Sequence, residues 1–181
     1  MGNMNAAKST AKRRLLLLRH AKSAWPADVA DHDRPLAGRG EKAAPLMGRY
    51  LARERLTPDL VLVSSARRTQ QTWELIAKKL PSSIAKQDTV DLYEASAAKI
   101  ATVIKSIDPS VRTLMLIGHN PGFQDLADGL IGAGDPEACS GIRQKFPTAA
   151  LAVIDFDVDR WKQLKPKSGT LERFVTPRSL A

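Results

Sequence analysis

Two short apolar runs of this chain each end in a histidine: LLLLRH, closing at Arg19 and His20, and LMLIGH, closing at Gly118 and His119. The chain has three histidines in all, so two in the same setting form a pattern that chemistry can use. A neutral imidazole is a nucleophile near pH 7 because its ordinary pKa is about 6.5. A third run, LVLV at Leu60–Val63, leads into SSARRTQQTWELIAKKL. Ser64 or Ser65 is expected to cap the helix that starts there, leaving free backbone N–H groups and a positive dipole end. Arg67 and Arg68 fall in its first turn, where cations are unfavourable unless an anion stands between them and the dipole. Two histidines, Arg19, an arginine of the third loop and a helix N-terminus together suit a compact, multiply charged anion. A phosphoryl group carries about two negative charges near neutral pH. The chemistry these residue types predict is phosphoryl transfer through histidine.

RHAKSAW after one run, SSARRTQQT after another and GHNPG after a third resemble the histidine phosphatase superfamily, which includes the phosphoglycerate mutases and acid phosphatases. DHDRPLAGRG, LYEAS, FPTAALAVIDF and LERFVTPRSL are similar to its short bacterial branch, the SixA-type phosphohistidine phosphatases. The resemblance runs from about Arg14 to the end of the chain. It implies that His20 is the nucleophile that becomes phosphohistidine, and that Arg19, Arg68 and His119 bind the phosphoryl oxygens as part of the catalytic set. Arg68 is taken over Arg67 because the family pattern places arginine three residues before a Gln-Thr pair, here Gln71 and Thr72. Ser23 adds a hydroxyl to the phosphate-binding residues. Glu94, in LYEAS, matches a Leu-x-Glu segment whose acid often protonates the leaving group. The resemblance also implies a phosphoglycerate mutase-like fold and chemistry with no metal or other cofactor.

Two positions depart from the family pattern. Ala21 stands where glycine is common after the Arg-His pair, so the turn beyond His20 is expected to keep an ordinary backbone conformation. Lys22 replaces an acid frequent in the mutases and adds positive charge near the mouth. Asp31, His32 and Asp33 are metal-ligating types, but three adjacent residues seldom close a site without further ligands. The one cysteine, Cys139, belongs to no CxxC pattern, and no HExxH occurs. Asp33 and Arg34 are expected instead to anchor their loop by a local ion pair.

Bringing these residues to one place requires strands that end together. Four or so aliphatics without alternation read as strands buried on both faces, as in a parallel sheet. Open sheets of that kind bind ligands beyond the carboxyl ends of their strands. Strands are expected over Arg14–Arg19, Leu60–Val63, Thr113–Ile117 and Ala149–Phe156. A helix over Arg39–Glu54 would present Ala43, Met47, Tyr50 and Leu51, and one over Ala66–Lys79 would bury Trp73, Ile76, Ala77 and Leu80. A third, capped by Ser96, carries the stripe Ile100, Val103, Ile104 and Ile107, and a short fourth runs near Gln124–Ile131. The alternation implies a single-domain α/β fold over residues 13–181, with a largely parallel sheet flanked by helices on both faces and right-handed crossovers. Residues 1–12 read as a basic disordered arm.

At 181 residues, 43% hydrophobic and 26% charged, the chain suits one compact core. No run approaches the roughly 18 to 20 apolar residues of a membrane span, and the start lacks an apolar signal segment. A soluble, cytoplasmic protein without a membrane partner is expected, which a single cysteine fits. The net charge of +9 is concentrated in the ends: residues 1–14 and 159–181 contribute +4 each, leaving the body near neutral. With aromatics at 5%, nucleic acid is not the expected partner. The basic ends would solvate the termini or tune encounter with acidic partners.

The expected function is a metal-independent phosphatase working through a covalent phosphohistidine, on phosphohistidine in proteins. A small-molecule phosphomonoesterase or a mutase is the enzymatic alternative. A mutase must shield its phosphoenzyme from water, whereas the stretch between the second and third strands holds little beyond one helix, so an open mouth is expected. Outside enzymes the alternative is a module that captures a phosphorylated ligand without turnover. The partner is thus a phosphorylated protein or a small phosphorylated substrate, with the oligomeric state left open.

Overall fold

Leu15, Leu16, Leu17 and Leu18 are all fully buried, as in a strand covered on both faces. They form β1 (Arg13–Arg19). The computed structural model describes residues 11–181. Its sheet adds β2 (Leu60–Ser64), β3 (Ala85–Thr89), β4 (Thr113–Gly118), β5 (Ile131–Gly134), β6 (Leu151–Phe156) and β7 (Gly169–Val175). The order is β3-β2-β4-β1-β6-β7-β5, with β1 at the centre. β1 pairs parallel with β4, β4 with β2, β2 with β3, and β5 with β7. β6 runs antiparallel to both β1 and β7, and so is the single reversed strand among those described. The sheet is largely parallel, as expected.

Helices α1 (Gly38–Arg53), α2 (Arg67–Ala77), α3 (Ala97–Lys105), α4 (Gly122–Leu130), α5 (Pro136–Gln144) and α6 (Pro177–Leu180) complete the chain. Side chains alternate across a strand, so the leucine run feeds two cores. Leu15 and Leu17 join Leu62, Leu114 and Leu116 under Ile100, Ile104, Phe123, Leu126 and Ile142 of α3, α4 and α5. Leu16 and Leu18 join Val61, Val63, Met115 and Ile117 under Met47, Leu51, Trp73 and Ile76 of α1 and α2. Helices therefore cover both faces, and each buried leucine contributes about 1.5–3 kcal/mol. The stripe residues Ala43, Ala77, Val103 and Ile107 are only half-buried.

Several elements differ from the sequence expectation. β3 reads AKQDT and is mostly exposed at the sheet edge, so no apolar pattern announces it. β5 is IGAG, too short and glycine-rich to stand out. The first half of β7 does alternate buried and exposed residues. α5 buries only Ile142, but Asp135 accepts from the Ala138 N–H as its cap and Pro136 opens its first turn. The stretch between β2 and β4 holds α2, β3 and α3, which corrects the expectation of little beyond one helix. Residues 1–10 of the expected basic arm lie outside the described residues. Among the described residues no helix is long and apolar enough to cross a membrane.

Candidate active site

Because β1, β2 and β4 run parallel, their carboxyl ends share one edge of the sheet. β1 delivers Arg19 and then His20, β2 ends at Ser64, and β4 ends at Gly118 with His119 next. The His20 N–H donates to the Gly118 carbonyl at 3.0 Å, extending the β1–β4 ladder to the histidine itself. The two imidazoles lie 5.3 Å apart, centre to centre, and both are buried.

His20 Nδ1 is 2.7 Å from its neighbour's carbonyl oxygen, Ala21 O. A carbonyl only accepts, so Nδ1 carries the proton and Nε2 keeps its lone pair. Burial pushes the His20 pKa down to about 3, assisted by the charges at His119, Arg68 and Arg19 and opposed by the Ala21 hydrogen bond. The ring is therefore neutral at pH 7. Ala21 is not among the residues with positive φ, so the turn beyond His20 is ordinary, as expected. The Ala21 N–H donates to Thr72 Oγ1 at 3.0 Å, and that hydroxyl donates to Arg68 O at 2.7 Å. Gln71 Oε1 accepts from the Leu36 N–H at 2.8 Å. Gln71 and Thr72 thus tie α2 to the chain that follows His20.

His119 has both nitrogens engaged. Arg68 Nη2 lies 3.3 Å from Nδ1 and can only donate, so Nδ1 accepts and Nε2–H donates to Ser64 Oγ at 2.7 Å. Burial first, then Arg68, holds its pKa at about 3. Ser64 was expected as a candidate helix cap, and the geometry corrects this: the N-cap of α2 is Ala66, with no side-chain cap. Ser65 likewise turns to a histidine, with its Oγ 2.9 Å from His32 Nε2. Glycine is required at two close approaches nearby. A Cβ on Gly118 would lie 2.6 Å from the Phe123 ring, and one on Gly122 would lie 2.3 Å from Ala95 O.

The arginines are held by main chain and by one carboxylate. Arg68 is buried, with Nη1 donating to Asp31 O at 2.7 Å and Nη2 to Asp31 Oδ2 at 3.2 Å. The same carboxylate takes Arg34 Nε at 3.1 Å and the Tyr93 hydroxyl at 2.6 Å. The Tyr93 hydrogen bond, then Arg68 and Arg34, keeps the Asp31 carboxyl below the usual carboxylate range. Burial and Asp31 push Tyr93 up to about 12. Its ring packs edge-on to both His119 and His32, at 5.6 Å and 4.8 Å. Arg19 Nη1 donates to Phe146 O at 2.9 Å, a carbonyl that Asn120 Nδ2 shares at 3.0 Å. Burial, and after it Arg68, lowers the Arg19 pKa. Arg19 Nε and Arg68 Nε are buried donors with no hydrogen-bond partner among the described residues.

The structure therefore gathers His20, His119, Arg19 and Arg68, and leaves Arg67 exposed. Ser23 is buried three residues beyond His20, and its backbone bridges to Leu36. Glu94 is exposed, directly after Tyr93, with φ of 52°, a left-handed conformation uncommon for a residue with a Cβ. The ion pair expected between Asp33 and Arg34 forms instead between Asp31 and Arg34. Asp33 faces His32, at 3.6 Å. Among the described residues no three His, Cys, Asp or Glu side chains cluster to hold a metal. Asp31, Tyr93, Thr72, Asn120 and the bond from Ser64 to His119 are additions that sequence reasoning missed. What results is a nucleophilic nitrogen beside guanidinium donors, an arrangement able to receive an electrophilic anion.

The model of the histidine phosphatase superfamily, branch 1, matches residues 15–105. A functionally uncharacterised protein of Mycobacterium tuberculosis is 36% identical over 163 residues, which span 89% of this chain and all of that one. The structure of a candidate phosphohistidine phosphatase SixA from Agrobacterium tumefaciens is 30% identical, with a TM-score of 0.77 over 91% of this chain and 98% of that one. Its counterpart from Nakamurella multipartitia is 26% identical, with a TM-score of 0.80 over 91% and 96%. The chain belongs to the histidine phosphatase superfamily.

Proposed function

We propose that this protein is a metal-independent phosphatase that works through a phosphohistidine at His20 and acts on phosphohistidine in proteins. The observation that carries the reading is the free Nε2 lone pair of a neutral His20 beside buried arginine donors that lack a partner. The uncapped N-terminus of α2 adds unsatisfied backbone donors to the same edge.

In the first step His20 Nε2 forms a bond to phosphorus in line with the leaving group, whose bond to phosphorus breaks with its electron pair. Arg19 and Arg68 hold the equatorial oxygens. The incoming dianion favours the charged form that burial and the Arg68 cation disfavour, so His119 takes a proton from solvent at Nδ1 as Arg68 Nη2 turns from it to the phosphate, and that Nδ1–H donates to a phosphate oxygen. In the second step water attacks phosphorus, the P–N bond breaks and inorganic phosphate leaves. The Nδ1 proton held by Ala21 O keeps the phosphorylated ring an imidazolium, a good leaving group for that water. The arginines and His119 supply the charge that a metal would otherwise supply, so turnover survives EDTA.

The likeness to the candidate SixA phosphohistidine phosphatases of Agrobacterium tumefaciens and Nakamurella multipartitia supports the protein-bound substrate. So does the intrinsic lability of the P–N bond, which asks little of an acid. One observation favours a small-molecule phosphomonoesterase as the second reading: Glu94, which matches the family's proton-donating acid, directly follows Tyr93, whose hydroxyl meets Asp31 and whose ring packs on His119. The test compares wild type and His20→Ala on an aryl phosphate and on a histidine-phosphorylated protein. The variant is expected to lose both activities and the acid-labile phosphoenzyme; retained turnover overturns the mechanism. Faster turnover of free sugar or nucleotide phosphates than of every phosphohistidine protein replaces the substrate.

A further inference from the structure

Among the described residues, the large hydrophobic side chains exposed to solvent are Trp25, at 75% exposure, Val90, at 70%, and Val29, at 38%. All three lie on the two segments that meet at the site. Trp25 and Val29 belong to the loop after β1 that carries Asp31. Val90 opens the short turn after β3, and its carbonyl accepts from the Tyr93 N–H at 3.1 Å. The Tyr93 hydroxyl bond to Asp31 and the edge-on contact between His32 and Tyr93 join the two segments. Exposed apolar side chains are ordinary when scattered singly. Confinement to the two segments that bracket the phosphate-binding residues is a different matter.

Trp25 is also pre-organised. The Arg34 guanidinium lies 3.4 Å from the centre of its ring, and Arg34 is itself buried and fixed by Asp31. An indole held by a cation on one face and open on the other loses little freedom when a partner covers it, which makes it a good interface anchor. The exposed charges of the same segments are mostly acidic: Lys22 against Asp28, Asp31 and Asp33 on one, Asp91 and Glu94 on the other. Such a rim offers an acidic partner surface little electrostatic attraction. The described basic residues of the N-terminal end, Lys12, Arg13 and Arg14, stand where β1 begins, at the opposite end of that strand from His20, with Lys12 paired to Asp157 and Asp159 and Arg14 to Asp155.

We propose that Trp25, Val29 and Val90 form an apolar docking rim for the folded protein that carries the phosphohistidine, and that this contact rather than electrostatic attraction sets KM for that substrate. The inference rests on the protein-phosphohistidine reading above. A phosphoryl group borne on a protein reaches His20 only by bringing the surrounding protein surface against these two segments, whereas a free aryl phosphate enters without touching them.

The test uses the full chain with Trp25→Ala and Val90→Ser, singly and together. The substrates are a small helical domain charged at its histidine by phosphoramidate, and an aryl phosphate. The double variant is expected to raise KM for the charged domain about 10-fold or more, in keeping with an interface anchor. Its kcat and its turnover of the aryl phosphate stay at wild-type values, and the wild-type KM changes little between low and moderate salt. Binding of the uncharged domain to wild type should shift the tryptophan emission, because Trp73 and Trp161 are buried and Trp25 is not. An unchanged KM for the charged domain overturns the rim, as does a parallel fall on both substrates or a steep salt dependence of KM. Wild type that turns over the aryl phosphate but not the charged domain removes the underlying reading, and the rim with it.

Discussion

Asp31 holds Arg68 twice, through its main-chain oxygen at 2.7 Å and its carboxylate at 3.2 Å, and so fixes the guanidinium that reaches His119. The same carboxylate joins Arg34 and Tyr93, so one side chain sets an arginine of the site, the loop after β1 and the loop after β3. Asp31→Ala is expected to lower kcat/KM on an aryl phosphate by about 100-fold through misplacement of Arg68, the cost of roughly 1 Å of misalignment. Loss of a partner for buried Arg34 should also destabilise the fold by about 1–3 kcal/mol. Steady-state kinetics and denaturant unfolding read the two effects, and wild-type kcat/KM in this variant refutes the positioning role.

The Arg68 guanidinium does for His119 what the Ala21 carbonyl does for His20, selecting which nitrogen carries the proton, and the Ser64 hydroxyl accepts from the nitrogen left protonated. In Ser64→Ala the Nε2–H is left buried without an acceptor, at a cost of about 1–3 kcal/mol. The proton is then free to move to Nδ1, where it competes with the bond from Arg68. A fall of about 10-fold in kcat, with thermal destabilisation, is the expected outcome. A variant equal to wild type in both rules out a role for the Ser64 bond in holding His119.

The features most legible in the sequence were those set by burial on both faces. The leucine run, LVLV and TLMLIG have no polar alternation because no side of those strands meets water, and strand direction then placed His20 and His119 together. β3 was illegible because an exposed edge strand has no burial pattern to show, and β5 because four residues with two glycines carry no period. The capping preference of serine hid a different use at Ser64 and Ser65, whose hydroxyls instead meet His119 and His32. Asp31 was hidden by its neighbours. In DHDR any acid can pair with the arginine, and only the turn over Asp31–Asp33 decides that Asp31 faces Arg34 and Arg68.

Replacing Glu94 tests which leaving group the site expels. An alkoxide needs a proton as it leaves, and general acid catalysis contributes about 100-fold or more. An imidazole leaving from phosphohistidine needs far less. Glu94→Gln is therefore expected to lower kcat on an alkyl phosphate steeply while leaving hydrolysis of a phosphohistidine protein within about 3-fold, well short of that acid-catalytic range. Equal losses on both substrates would assign Glu94 to folding or positioning rather than to proton donation.

Acid should unfold this protein through its two site histidines. His20 and His119 are held at about 3 in the folded chain, chiefly by burial, against about 6.5 once exposed. Because both folded values lie below the ordinary one, the unfolded chain takes up the protons first. Their contribution is fully present above about pH 6.5 and is lost as pH falls toward 3, by about 1.4 kcal/mol per pH unit for each histidine. Asp31, whose carboxyl is also lowered, adds to the loss at the acid end of that window. Urea unfolding measured from pH 7.5 to 4.5 should show stability falling steadily below pH 6.5. His20→Gln has no titrating ring and should show about half the wild-type slope of the histidine pair. Identical slopes in the two proteins would mean that His20 takes up its proton at the ordinary value in the folded chain, and would refute burial as what holds the ring neutral well below pH 6.5.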